Sequence, residues 1–230
     1  MKLIHRILDL LFPPRCILCR GILKKEETDF CRDCRMNWPA FPVLPENTHP
    51  DRKSSLQFLD SFAAVWYYEG NVRRSILRYK FRNARHYAAG YGRVLAMRLQ
   101  QEHPEGFDRI TWVPISAKRK WKLGYDQSEL MANAVGQELN VTTEALLRKI
   151  RDNPPQSGMA AEQRKANVLG VYEPICREAA AGKRILLVDD VFTTGSTAEE
   201  CARVLLTAGA KEVHAAAIAA AQKHEKKPSR

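Results

Sequence analysis

From Arg184 the chain runs through Ile185, Leu186, Leu187 and Val188, meets Asp189 and Asp190, and turns through Thr193-Thr194-Gly195-Ser196-Thr197. A short unbroken apolar run fits a strand buried on both faces. Helical spacing then follows to Ala208, with Gly209 as the stop. Upstream, Ser61 to Tyr68 has strand composition and ends in the turn Glu69-Gly70-Asn71. Val72 to Leu99 carries two helical patterns with Ile76, Leu77, Val94, Leu95 and Leu99 as core. Arg109 to Ile115 reads as a second buried strand ending at Pro114. Asp126, with Glu129 three positions on, predicts a capped helix from Gln127 to Leu139 closed by Asn140. Val141–Leu147, Leu169–Tyr172 and Val213–Ala220 are further strand candidates. Residues 116–122 and 148–158 read as basic loops, the second too polar and too broken by proline to be an element. Strands alternating with helices predict an α/β fold, a parallel-rich sheet flanked by helices, with ligands at the carboxyl ends of its strands.

The first fifty residues have a different character. Cys16 and Cys19 form one CxxC pair, Cys31 and Cys34 a second, and two such pairs complete a tetrahedral thiolate set. Zinc or iron suits such a set, and with nothing pointing to redox work the expectation is a structural zinc. Pro39, Pro42, Pro45 and Pro50 then fall among polar residues, a linker composition. The predicted division is therefore an N-terminal helix, zinc module and linker over 1–50, an α/β domain over 51–222, and a basic tail over 223–230. Met1 to Phe12 is amphipathic, with Leu3, Ile4, Ile7, Leu8, Leu11 and Phe12 apolar. His5, Arg6 and Asp9 interrupt it, which argues against a secretory or spanning segment and leaves a helix docked on the protein or on a membrane surface. No membrane span and a cytoplasmic location are expected.

Charge adds a partner class. The 230 residues carry 37 Lys and Arg against 26 Asp and Glu, a formal +11, so the surface should attract polyanions. The helices of 72–99 mix Arg73, Arg74, Arg78, Lys80, Arg82, Arg85 and Arg93 with Tyr79, Phe81, Tyr87 and Tyr91. This mixture suits single-stranded nucleic acid, and it equally suits a solvated basic face with the aromatics turned inward. Ser116-Ala117-Lys118-Arg119-Lys120-Trp121-Lys122 follows a strand and would fit a pyrophosphate, or be a solvated turn. The basic stretch from Arg148 onward could close over a ligand or be a plain surface loop.

The chemistry converges on residues 189–197. A loop of small residues feeding a helix aims several N–H groups at one phosphate, and two carboxylates beside it can accept from vicinal sugar hydroxyls. Nothing matches GxxxxGK[ST]. The stretch resembles the 5-phosphoribosyl-1-pyrophosphate (PRPP) signature of the type I phosphoribosyltransferases. That resemblance places Asp189 and Asp190 at the ribose hydroxyls and Thr193, Thr194, Gly195, Ser196 and Thr197 at the 5-phosphate.

With the CxxC pairs, Leu77-Arg78-Tyr79-Lys80, Val113-Pro114-Ile115, Gly124-Tyr125-Asp126-Gln127, and Gln156 with Arg164 and Asn167, the whole chain resembles the ComF family. Its members join a four-cysteine zinc module to a phosphoribosyltransferase-like domain and are associated with natural competence and DNA use. The resemblance implies PRPP with Mg2+, single-stranded DNA and a competence-machinery protein as candidate partners. The PRPP-binding set is then Asp189, Asp190 and 193–197 together with Ser116, Lys118 and Arg119. Asp189, Asp190 and Arg151 are the catalytic candidates, with Arg119 and the 148–151 loop at the pyrophosphate. Leu123 stands where the family often has arginine, and Asn153 where it often has threonine. The readings are therefore a transferase of unknown acceptor, a catalytically silent PRPP sensor that binds nucleic acid, or a regulator that docks a protein.

Overall fold

The computed structural model describes residues 12–37, 56–151 and 169–221. The amphipathic segment before Phe12, the proline-rich linker, Asn153, Gln156, Arg164 and Asn167, and the basic tail lie outside the described residues.

A four-stranded parallel sheet of order β1-β6-β5-β2 is built from β1 (Ser61–Tyr67), β2 (Arg109–Trp112), β5 (Arg184–Phe192) and β6 (Glu212–Ala220). Each central strand is buried on both faces, which is why its sequence reads as an apolar run rather than an alternation. In β5, Leu186 and Val188 face one core while Ile185 and Leu187 face the other. On the first face lie α2 (Gly70–Phe81), α3 (Tyr87–Glu102) and α5 (Gln127–Leu139). On the second lie α7 (Ser196–Thr207) and a small antiparallel pair, β3 (Leu147–Lys149) with β4 (Tyr172–Pro174). Residues 142–144 extend the sheet past β2: Ile110 N–H donates to Thr142 O at 2.9 Å and Glu144 N–H to Ile110 O at 3.0 Å. A four-residue helix, α6 (Arg177–Ala180), precedes β5.

Caps end the elements where the sequence predicts. Asp126 accepts from the N–H groups of Ser128 and Glu129 at 3.0 and 3.3 Å, and Asn140 closes α5 with φ +54°. Glu129 does not complete a capping box; its carboxylate pairs with Lys120 instead, at 2.5 Å.

Three expectations are corrected. Residues 117–123 are not a loop but a short helix, α4 (Ala117–Leu123), whose cap is Ser116 and whose stop is Gly124 at φ +75°. Arg148 and Lys149 lie in β3, where Arg148 pairs with Glu173 across the hairpin, so the basic stretch begins as strand. β5 does not stop at its acids but continues to Phe192, with Val191 and Phe192 still in register with Ala219 and Ala220.

The zinc module, which includes α1 (Arg32–Met36), shares the first core. Ile17, Leu18 and Phe30 are buried, and Phe30 meets Trp66 edge-on at 5.8 Å between ring centroids. Gly90 on α3 permits the approach. A Cβ there would lie 2.4 Å from Ile17 Cδ1 and 2.9 Å from Asp29 Cγ, so a larger residue forces these two side chains of the module to shift. Arg93, on the same helix, pairs with Asp29 at 2.5 Å.

This docking decides between the two readings of the helical aromatics. Tyr79, Tyr87 and Tyr91 are core residues of 0–1 % exposure, and Tyr91 meets Ser75 Oγ at 2.6 Å. Of the four aromatics, Phe81 is the exposed one, so α2 and α3 carry no row of rings for stacking bases. No helix among the described residues is long and apolar enough to cross a membrane.

Candidate active site and zinc centre

The two acids sit near the carboxyl end of β5, beside the loop that starts α7. Gly195 takes φ +83° as the cap of α7, a conformation that suits glycine, and a Cβ there would strike the Phe192 ring at 2.6 Å. Thr194 folds over the start of α7, where its Oγ1 shares a hydrogen bond with Ser196 Oγ at 3.0 Å and accepts from Ser196 N–H at 3.4 Å; the N–H groups of a first helical turn have no partner within the helix itself and suit an anion. Thr193 is exposed, Thr194, Ser196 and Thr197 partly so, and Gly195 is buried beneath them.

Asp190 and Asp189 are treated differently by their surroundings. Lys80 Nζ, from the last turn of α2, lies 2.8 Å from Asp190 Oδ2. Burial alone would lower the Lys80 pKa, but the Asp190 carboxylate, with Asp189 behind it, outweighs burial and holds it above its ordinary value. Asp189 Oδ1 accepts from Ser128 Oγ at 3.1 Å and from the Asp190 N–H at 2.8 Å. Asp189 keeps some surface open to the site, yet protein crowds its carboxyl. Burial first, then the Asp190 charge, push its pKa up to about 7 against partial relief from Lys80, the Asp190 N–H and Ser128.

Lys80 is the residue whose place in the site the sequence reading missed; it stood only as one cation of a helical face and one letter of a motif. Its backbone is fixed from both sides. Tyr125 O–H donates to Tyr79 O at 2.7 Å, Gln127 Nε2 to Lys80 O at 3.2 Å, and Tyr79 O–H to Gln127 O at 2.6 Å. The Gly124-Tyr125-Asp126-Gln127 segment therefore works as a clamp on the end of α2. Asp126 anchors that clamp to β2's exit by accepting from Ile115 N–H at 3.0 Å. Burial raises the Asp126 pKa, with partial relief from the three N–H groups it accepts.

The other predicted residues are placed less closely. Ser116 Oγ accepts from Arg119 N–H at 3.3 Å and so caps α4, while Lys118 and Arg119 are exposed on it. Trp121, 88 % exposed, sits between Lys120 and Lys122. Arg151 is exposed at the end of a described segment. Among the described residues, no hydrogen bond or ion pair links these side chains to the acid pair. A polar groove lined by Asn133, Gln137, Asn140, Thr142 and Thr143 lies at the far end of α5 from Ser128 and has no charged side chain in its wall.

The zinc centre is compact. The Sγ atoms of Cys16, Cys19, Cys31 and Cys34 lie within 4.8 Å of one another, and none is in a disulfide. A tetrahedron of Zn–S bonds of about 2.3 Å has edges of roughly 3.8 Å, so the set fits zinc with little movement. Gly21 N–H donates to Cys19 Sγ at 3.4 Å, and Arg20 takes φ +72° to make the knuckle turn. Burial and then the neighbouring sulfurs push the Cys34 thiol far above its ordinary range, a repulsion that a divalent cation removes. The first knuckle is held to α2: Arg78 Nη2 donates to Ile17 O and Leu18 O at 2.8 and 2.7 Å, and Ser75 Oγ to Ile17 O at 2.6 Å. One turn of α2 therefore carries both the anchor of the zinc module and the lysine of the acid pair.

Comparison with known proteins covers both the four cysteines and the acid pair. Residues 126–230 match the phosphoribosyl transferase domain and residues 7–43 the double zinc ribbon domain. Competence protein F of Haemophilus influenzae is 25 % identical over 90 % of this chain and 97 % of its own length. The DNA utilization protein YhgH of Salmonella typhimurium is 27 % identical over 86 % of each chain. Competence protein ComFC of Bacillus subtilis is 25 % identical over 89 % of this chain and 83 % of its own. The chain is accordingly similar over most of its length to the competence proteins F and ComFC and to YhgH, and it matches a phosphoribosyl transferase domain behind a double zinc ribbon.

Proposed function

We propose that this protein binds PRPP as its Mg2+ chelate and transfers the 5-phosphoribosyl group to an acceptor, in the service of handling incoming single-stranded DNA. One observation carries the reading. Two carboxylates near the carboxyl end of a central parallel strand stand beside a glycine-turned helix start, the arrangement that suits vicinal hydroxyls and a phosphate on one ligand. In this reading Asp189 and Asp190 accept from the ribose hydroxyls, and the N–H groups and hydroxyls of Thr193 to Thr197 take the 5-phosphate. Lys118, Arg119 and Arg151 meet the leaving pyrophosphate. Mg2+ brought in with PRPP would neutralise part of the diphosphate's charge, beside the cations Lys118, Arg119 and Arg151. The C1–O bond breaks, pyrophosphate leaves with the bonding electrons, and an acceptor lone pair forms the new bond to C1. The acids, fixed before the ligand arrives, stabilise the positive charge that develops at the ribose.

The DNA part rests on the names of the relatives and on charge. The formal +11 and the exposed α4 face of Lys118, Arg119, Trp121 and Lys122 suit a single strand, cations on phosphates and a ring under a base. Leu123, where the family often carries arginine, favours a second reading in which the site senses PRPP without turning it over. Two assays separate them. Pyrophosphate release from PRPP is followed with nucleobases and single-stranded DNA as acceptors, and DNA binding is followed against salt. Transfer predicts release above background with at least one acceptor. PRPP binding without release favours the sensor, and DNA binding that is absent or indifferent to salt removes the nucleic-acid role.

A further inference from the structure

We infer that Lys80 is the specificity-determining residue of the acid pair: its ammonium occupies the position of a bare divalent cation, so the site takes a metal only as a chelate with a phosphorylated ligand. The inference deepens the PRPP reading and rests on the acid pair being a ligand site.

Two adjacent carboxylates are a natural trap for a hard cation, which needs oxygen ligands and little else to begin binding. Here the trap is already filled. Lys80 Nζ stands 2.8 Å from Asp190 Oδ2, and among the described residues the other hydrogen-bond donors to the acids, Ser128 Oγ and the Asp190 N–H, are neutral. Among the described residues, no third carboxylate, histidine or cysteine joins them in a cation-sized cluster. The lysine is not a surface side chain that happens to reach. Its backbone is held by Gln127 and its helical neighbours by Tyr125 and by the zinc knuckle. With Lys80 in place the cluster carries one net negative charge at most, which is a poor lure for a bare divalent ion. The same ammonium attracts the anionic oxygens of a metal–diphosphate complex, whose sugar hydroxyls can donate to the acids.

The test uses the full chain, zinc-loaded, with Mn2+ as the probe, because Mn2+ prefers oxygen ligands and leaves the four thiolates to zinc. Free Mn2+ is read by its electron paramagnetic resonance signal during titration of wild type, Lys80→Met and Lys80→Arg. PRPP–Mg2+ is titrated separately by calorimetry. The expected result is Mn2+ binding at least about tenfold tighter in Lys80→Met than in wild type, since a unit charge about 4 Å away exceeds that even at an effective dielectric of about 20. Lys80→Arg should resemble wild type, and adding Asp190→Asn to Lys80→Met should remove the gain. Equal Mn2+ binding by wild type and a folded Lys80→Met overturns the inference. Lys80→Gln, which can still donate to Asp190, gives the same reading if the methionine variant does not fold. The Mn2+ titration stands apart from the ligand: gain of Mn2+ binding with no PRPP binding by wild type keeps the selectivity and refutes the PRPP reading.

Discussion

At pH 8 the Asp189 carboxylate is a charge in a place that resists it, and replacing it with asparagine should make the protein more stable. Its pKa of about 7 in the folded chain reflects burial first and the Asp190 charge second, whereas an unfolded aspartate titrates near 3.9. Between about pH 4 and pH 7 the folded chain therefore holds a proton that the unfolded chain has released. The contribution of this group to stability is full below that window, falls as the pH rises through it, and is flat above 7. From pH 5 to pH 8 the loss is roughly 2–3 kcal/mol. Asparagine reproduces the protonated form, and its Oδ1 can still accept from Ser128 Oγ and the Asp190 N–H. Asp189→Asn should accordingly match the wild type only below about pH 4, and its advantage should grow by roughly 2–3 kcal/mol between pH 5 and pH 8, on the order of 5–10 °C in Tm for a chain of this size. Thermal melts of both zinc-loaded proteins across that range give the difference directly, because groups common to both cancel. A difference that does not change with pH, or a variant less stable than wild type at pH 8, would refute the argument.

Other perturbations probe the zinc module and the phosphate loop. Stripping zinc with a chelator should lower Tm in a single transition, since Ile17, Leu18 and Phe30 belong to the same core as Trp66 and Tyr79; two separated transitions in calorimetry would contradict that shared core. Gly90→Val sets its Cβ 2.4 Å from Ile17 Cδ1 and should cost about 1–3 kcal/mol with weakened zinc retention, whereas Ala89→Val at an exposed neighbouring position should be close to neutral. Gly195→Ala meets both a φ of +83° and the Phe192 ring; a loss of about 1–2 kcal/mol in chemical denaturation should come with reduced affinity for phosphorylated ligands.

Much of the fold was legible because its signals are local. The β5 run, the Asp126 cap, the Asn140 stop and the two CxxC pairs each depend on a few neighbouring residues, and each appears in place. The orientation of α2 and α3 was not legible, because these helices are covered on one side by the sheet and on the other by the zinc module. On α3 the buried arc is so broad that no single apolar stripe stands out, and on α2 the buried stripe Val72, Ser75, Ile76 and Tyr79 includes two residues with hydroxyl groups. A basic seven-residue helix such as α4 offers no apolar stripe either; Ser116 and Gly124, its cap and stop, were the signals available. β3 is three residues long and pairs with β4, more than twenty positions away. The role of Lys80 was beyond reach for the same reason, since its partner lies 110 positions on and only the packing of α2 against β5 brings them together.

The most direct test of the PRPP reading is calorimetric titration of PRPP–Mg2+ into the zinc-loaded protein and into its Asp189→Ala, Asp190→Ala variant. Saturable binding by the wild type that the variant loses, with its zinc content and helical signal unchanged, is the predicted result. Equal binding by both proteins, or none by either, would contradict it.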